Sequence, residues 1–180
     1  RTPENDEGAE KLFHYNLMMV STYRDKARVG TITSRMEHYL EWKDPYPSVL
    51  NNDLDLLIHR APIEGWDYPT GALIPPSEPA TIEHPTDQDI LLLGLFDPYC
   101  FLDILRNFTV FEPVDGRIIK KIPRYQQFRA VHKTIERLID GETPEEKSGV
   151  IWHTQGSGKS LTMVFLTVKM RREPKLRDYK

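Results

Sequence analysis

The chain has 180 residues, with 24 Lys and Arg against 27 Asp and Glu and a formal net charge of −3. That length buries one sizeable core or two small ones, and the near balance of charge leaves only local basic grooves, not a global field, to attract nucleic acid or an anionic membrane. A single cysteine, Cys100, excludes an intrachain disulfide framework and a cysteine metal cluster; a reducing, cytoplasmic setting fits, and no apolar run approaches the roughly 20 residues that cross a bilayer.

Residues 1–11, RTPENDEGAEK, are polar and expected to fray. They contain no apolar signal region and no initiator methionine, which reads as a piece of something larger. Leu12–Tyr23 and Ala27–Ser34 are strand-forming runs separated by charge, and predict an antiparallel hairpin. In RMEHYLEWKDPYP, Met36, Tyr39 and Leu40 recur at i, i+3, i+4, which predicts a short helix from about Ser34 until Pro45 stops it. Eight of the 14 prolines fall between Asp44 and Thr86. Such a stretch reads as a loop-rich insertion or linker, though Tyr46, Trp66 and Tyr68 argue against full disorder.

Asp87–Phe96 predicts an apolar helix. A second helix follows with Asp97 as N-cap and Pro98 at its first position, its apolar side formed by Phe101, Leu102, Leu105 and Phe108. FTVFEPVDGRIIKKI turns at Asp115-Gly116, and reads as a hairpin or as a strand leading into a helix. From Pro123 the period becomes helical, with Phe128, Val131, Ile135, Leu138 and Ile139 on one face. A polar loop, Gly141–Lys147, leads to Val150–Trp152, an apolar run of the kind buried in a parallel sheet, and Lys159–Arg172 is a further helix.

The chemistry concentrates between that run and that helix, in WHTQGSGKS. A phosphate-binding loop turns backbone N–H groups inward around an anion, in conformations that glycine permits. It also needs a lysine for the β- and γ-phosphates, a hydroxyl for Mg²⁺ and a helix N-terminus beneath. Thr154, Gln155, Gly156, Ser157 and Gly158 supply the cradle, Lys159 the cation and Ser160 the metal ligand. The commonest form, G-x-x-x-x-G-K-[ST], has glycine where this chain has His153. Upstream, RYQQFRAV offers Gln126 and Gln127, whose carboxamides match the N6 and N7 edge of adenine. A polar pair on a solvated helix face is the other reading.

The run LRNFTVFE…KKIPRYQQFRAVHKTIERL…SGVIWHTQGSGKSLTMVFLTVKM resembles the start of the motor of type I restriction enzyme restriction subunits. Histidine in the first glycine position is distinctive of that family, and LFHYNLMMVST and SRMEHYLEWK resemble its segment just past the nuclease core. The resemblance implies an α/β chain in three parts: a β-rich end of a PD-(D/E)xK nuclease domain over 1–43, a Pro-rich connector with helices and a hairpin over 44–121, and the first β-α unit of a RecA-like motor over 122–180. It implies an ATP-dependent site-specific deoxyribonuclease as the parent. Such an enzyme translocates double-stranded DNA with ATP and Mg²⁺, cleaves away from its recognition site, and works with methyltransferase and specificity subunits. The family helix reads Tyr-x-Gln-x-x-Ala, matched by Tyr125, Gln127 and Ala130, which favours Gln127 over Gln126 for adenine.

No catalytic residue is carried over. The family's nuclease residues precede the segment that begins here, and the acidic pair and arginine that hydrolysis uses follow it, so the chain alone is expected to be inactive. Asp25 with Glu41-Trp42-Lys43 formally satisfies a D…ExK spacing, but on the predicted helix Glu41 and Lys43 stand about 200° apart. The six histidines show no paired ligand spacing. The basic run KMRREPKLRDYK suits a helix C-terminus, or DNA phosphates. Two other readings stay open: a fragment of another superfamily 2 DNA helicase or translocase, and a non-catalytic connector or docking module built on Asp44–Phe111.

Overall fold

The structure, a computed structural model, describes residues 13, 15–23, 25–44, 65–67, 72–74 and 86–179, the two short runs at 65–74 by backbone alone. The frayed end expected over residues 1–11 lies outside the described residues, as does most of the Pro-rich stretch. What is described is mixed α/β: small antiparallel hairpins joined to packed helices.

Strands β1 (Met19–Tyr23) and β2 (Lys26–Gly30) form the first hairpin, with Met19 opposite Gly30 and Tyr23 opposite Lys26. The two-residue alternation sends Ala27 and Val29 inward and Arg28 outward. The helix expected over 34–45 is not there. Met36–His38 makes one 3-10 turn, and the chain then runs extended, with Leu40 exchanging backbone hydrogen bonds with Val29 at 2.8 and 2.9 Å. Pairing with β2 outweighs a helical period that rests on three residues, one of which, Met36, stays exposed. The Tyr39 ring lies over Gly30, where an added Cβ would meet it at 2.8 Å, so this close approach requires glycine. The turn after β2 is pinned at a distance: Thr31 Oγ1 donates to the Lys120 carbonyl at 2.9 Å, and Thr33 Oγ1 accepts from Lys120 N at 3.0 Å.

A backbone hairpin, β3 (Gly65–Asp67) and β4 (Ala72–Ile74), falls within the Pro-rich stretch. Helix α1 (Asp87–Leu95) opens on a capping box in which Thr86 Oγ1 accepts from Asp89 N and Asp89 Oδ2 accepts from Thr86 N. Its Leu91 and Leu95 are fully buried, and Lys26 ties β2 to it through Asp87 at 3.1 Å. Helix α2 (Pro98–Asn107) is capped by Asp97, whose Oδ1 accepts from Tyr99 N and Cys100 N. The expected apolar side is rotated: Cys100, Ile104 and Phe108 face the core, while Leu102 and Leu105 stay exposed. Leu102 and Leu105, three residues apart on one side, imitate a core stripe that the core does not use.

The Asp115-Gly116 signal resolves as a hairpin, β5 (Val110–Val114) and β6 (Arg117–Lys121). Asp115 and Gly116, at φ 49° and 74°, make the tight turn that follows the strand twist. Helix α3 (Tyr125–Asp140) buries Phe128, Val131 and Ile135, with Leu138 and Ile139 half-buried beside them. Within the polar loop, Pro144–Lys147 forms a one-turn helix, α4. Helix α5 (Lys159–Arg172) buries Thr162 and Phe165 against α3. No strand forms at Val150–Trp152, where Val150 is 92% and Trp152 87% exposed. A strand needs a partner for its N–H and C=O groups, and among the described residues none pairs with this run. The core centres on Phe108, whose ring lies 4.8 Å from Phe128 and 5.3 Å from Phe165, with Trp42 reaching Phe128 at 5.7 Å.

Candidate nucleotide site

Helix α5 starts at Gly158, which adopts a left-handed conformation at φ 82°, two residues after Gly156 at φ 75°. These angles turn the backbone back on itself and are costly for any residue with a Cβ. No side chain caps α5, so the N–H groups of its first turn stay open to an anion, where the helix dipole also favours negative charge. Lys159 folds over the loop, its Nζ donating to the carbonyls of Thr154 (3.1 Å) and His153 (3.3 Å). A lysine held on carbonyls is free to exchange them for phosphate oxygens, which carry full charge. Ser160 is exposed in the first turn, and Thr154 and Gln155 are exposed in the loop.

The two glutamines part company. Gln126 is exposed, on a shallow groove with Arg28, Tyr39 and Lys43. Gln127 is 2% exposed and its amide is fully engaged: Oε1 accepts from Arg124 N at 2.9 Å, and Nε2 donates to the carbonyls of Gly158 (3.0 Å) and Ser157 (3.4 Å). The residue expected to read adenine thus braces the phosphate loop against α3. The period of α3 places Gln127 beside Phe128 on the buried face, but a brace across thirty residues leaves no mark in sequence.

Gly156–Gly158 and the N-terminus of α3 line an open cleft of about 1100 Å³. Residues of the 29–42 segment and of the β5–β6 hairpin line it as well. The residues present fit a polyphosphate. Gly156 has open space where a Cβ would stand, and Ser157 Oγ is buried in the cleft wall with no hydrogen-bond partner.

Below the loop lies a polar cluster that sequence reading missed. Asp103 Oδ2 is 2.7 Å from His132 Nε2, both carboxylate oxygens accept from Lys169 Nζ at 2.7 and 2.8 Å, and Asn107 Nδ2 donates at 2.6 Å. Burial alone would raise the Asp103 carboxyl; His132, Lys169 and Asn107 outweigh it and hold the group at about 2. One carboxylate therefore joins α2, α3 and α5. Arg172 adds to this by donating to the Arg106 carbonyl and to Asn107 Oδ1 at the end of α2. The available signal was charge set within apolar helix faces, but not which charges meet.

The D…ExK spacing resolves differently from the helical expectation. On the extended segment Glu41 and Lys43 fall on one side and pair at 2.8 Å, and Arg28 lies 3.5 Å from Glu41. Lys43 beside it holds the Glu41 carboxyl below the usual range. No group of three metal-ligating side chains occurs among the described residues.

A glycine loop, a lysine and an uncapped helix are the parts that a nucleotide-phosphate site requires, and the SWI2/SNF2 ATPase family matches residues 126–180, which hold all three. The chain is 30% identical over 176 residues to the type I restriction enzyme HindI endonuclease subunit of Haemophilus influenzae, covering 96% of this chain and 14% of that protein. Two Methanocaldococcus jannaschii proteins, the putative type I restriction enzyme MjaIXP and MjaVIIIP endonuclease subunits, are each 38% identical, over 96 and 80 residues. Those matches cover 51% and 43% of this chain, and 9% and 8% of the relatives. No solved structure matches the chain. Its curated homologues are type I restriction enzyme endonuclease subunits, and it carries a partial helicase-like region of the SWI2/SNF2 ATPase kind. It spans about a seventh or less of their length.

Proposed function

We propose that the chain is the ATP-binding segment of a type I restriction endonuclease subunit, a protein that translocates double-stranded DNA at the expense of ATP and cleaves it away from the recognition site. Thr154, Gln155, Gly156, Ser157 and Gly158 cradle the phosphates, and Lys159 moves from the Thr154 and His153 carbonyls onto the β- and γ-phosphates. Ser160 would ligate Mg²⁺, whose charge would offset that of the phosphates. Gln127 reads adenine by exchanging its loop contacts for the base, with Gln126 in reserve. Residues 1–43 close a nuclease domain, 44–121 connect it, and 122–180 open the motor. Methyltransferase and specificity subunits are the partners, in the cytoplasm. Among the described residues no helix is long and apolar enough to cross a membrane. The observation that carries this reading is the uncapped start of α5 directly after two left-handed glycines, with Lys159 folded over the opening.

The test is calorimetric titration of Mg-ATP into the chain and into Lys159→Ala. Losing a charge-assisted contact worth about 1.5–3 kcal/mol weakens binding by tenfold or more. The chain alone neither hydrolyses ATP nor cuts DNA, because hydrolysis also takes a metal-holding carboxylate and a water-orienting group, which this reading puts elsewhere in the subunit. ATPase activity of the chain that Lys159→Ala abolishes would overturn that second statement.

A further inference from the structure

The chain as a whole is acidic, with a formal net charge of −3, but its described surface does not share that sign evenly. The shallow groove lined by β2, residues 39–43 and the start of α3 holds Arg28, Lys43 and Arg124 against one carboxylate, Glu41. It joins the larger cleft at Leu40, Glu41, Arg124 and Tyr125, which line both. Along that cleft Arg35, Arg117, Lys120 and Lys121 meet only two further acids, Glu37 and Asp115. Cations therefore outnumber carboxylates by seven to three over one connected surface.

Local partners do not cancel this excess. Glu41 is shared, 2.8 Å from Lys43 and 3.5 Å from Arg28, so one negative charge answers two positive ones. Arg35 stands 3.9 Å from Glu37 with its side chain 85% exposed, a pair that water screens almost fully. Lys120 Nζ donates to a neutral group, the Asn16 carbonyl, at 2.8 Å. Lys121 is matched by Glu112, which still leaves the surface positive.

A positive surface on an acidic chain attracts a polyanion, whose condensed counterions are released on contact. Single strands are held by exposed rings on which bases stack. The tyrosine and tryptophan rings lining this surface are otherwise engaged: Tyr39 covers Gly30, Trp42 packs on Phe128, and Tyr125 packs against the core. Cations without stacking platforms suit the backbone of a duplex.

We propose that β2, residues 35–43, the β5–β6 hairpin and the start of α3 form a docking face for the phosphodiester backbone of double-stranded DNA. The choice of DNA among polyanions rests on the restriction-subunit reading; the sign of the surface does not.

The test is fluorescence anisotropy with a labelled duplex, titrated with the full chain between about 50 and 200 mM salt. A face variant, Arg28→Gln/Lys43→Gln/Arg117→Gln, is compared with a control, Arg171→Gln/Lys175→Gln/Arg177→Gln, which removes equal charge from exposed positions at and after the end of α5. Arg35→Gln/Arg117→Gln, which leaves Glu41 and its partners in place, guards against misfolding, and circular dichroism checks all three. The face variant should bind duplex at least about tenfold more weakly at low salt, with a salt slope shallower by about two to three, while the control changes little. Its Mg-ATP binding should be unchanged. Equal losses in face and control variants would mean that only net charge matters, and tighter binding of the single strand than of its duplex would exclude a duplex face. Loss of Mg-ATP binding without loss of DNA binding would give the cations to the nucleotide. Each of these overturns the proposal, as does a full chain with no salt-dependent binding to DNA. Lys159→Ala should keep its DNA binding, so the face and the phosphate loop fail separately.

Discussion

Gly158 carries two requirements at one position. Its φ of 82° is strained for any residue with a side chain, and a Cβ there would stand 2.7 Å from Gln127 Nε2, inside contact distance. Gly156 has a similar φ but open space around it. Gly158→Ala is therefore expected to cost about 2–3 kcal/mol, from backbone strain plus displacement of the Gln127 brace, and Gly156→Ala about 1–2 kcal/mol. Thermal melts of the two variants, run side by side, check the order. Equal losses would mean that the brace contributes nothing. The glycines themselves were legible from spacing alone, since a loop that turns N–H groups inward needs them. Gln127 stood out in the sequence for its carboxamide, but its contact with the loop depends on how α3 and α5 cross.

At the scale of elements, the Asp103 cluster decides how three helices sit together. Its carboxyl lies at about 2, below its ordinary 3.8. The folded state therefore gains stability above pH 4 that is lost as pH falls from about 4 to 2, roughly 2 kcal/mol in all. Asp103→Asn should lower stability at neutral pH and flatten its dependence over that acid range, as read from urea unfolding at stepped pH. An unchanged acid slope would show the cluster to be incidental. Sequence signals worked where they were local and chemically specific. The Asp97 cap with Pro98, the Asp115-Gly116 turn and the start of α5 at Lys159 all stand where their residues put them. They failed where a partner decides. Met36, Tyr39 and Leu40 read as helix until β2 offers Leu40 a strand to pair with. Val150–Trp152 reads as a buried strand, yet stands exposed, with no strand paired to it among the described residues.

For the molecule as a whole, sharing one carboxylate among α2, α3 and α5 has a consequence in time as well as in space. Separate anchors would let each helix loosen on its own, whereas a common one makes the three let go together. Amide hydrogen exchange should thus find a single slow unit spanning these helices, with matching opening free energies, while the exposed β1 strand trades its protons sooner. If α2 exchanges independently of α5, the shared anchor does not govern opening. If they move as one, tightening of α5 around a phosphate will be felt at α2, as slower exchange at a helix that never touches the nucleotide.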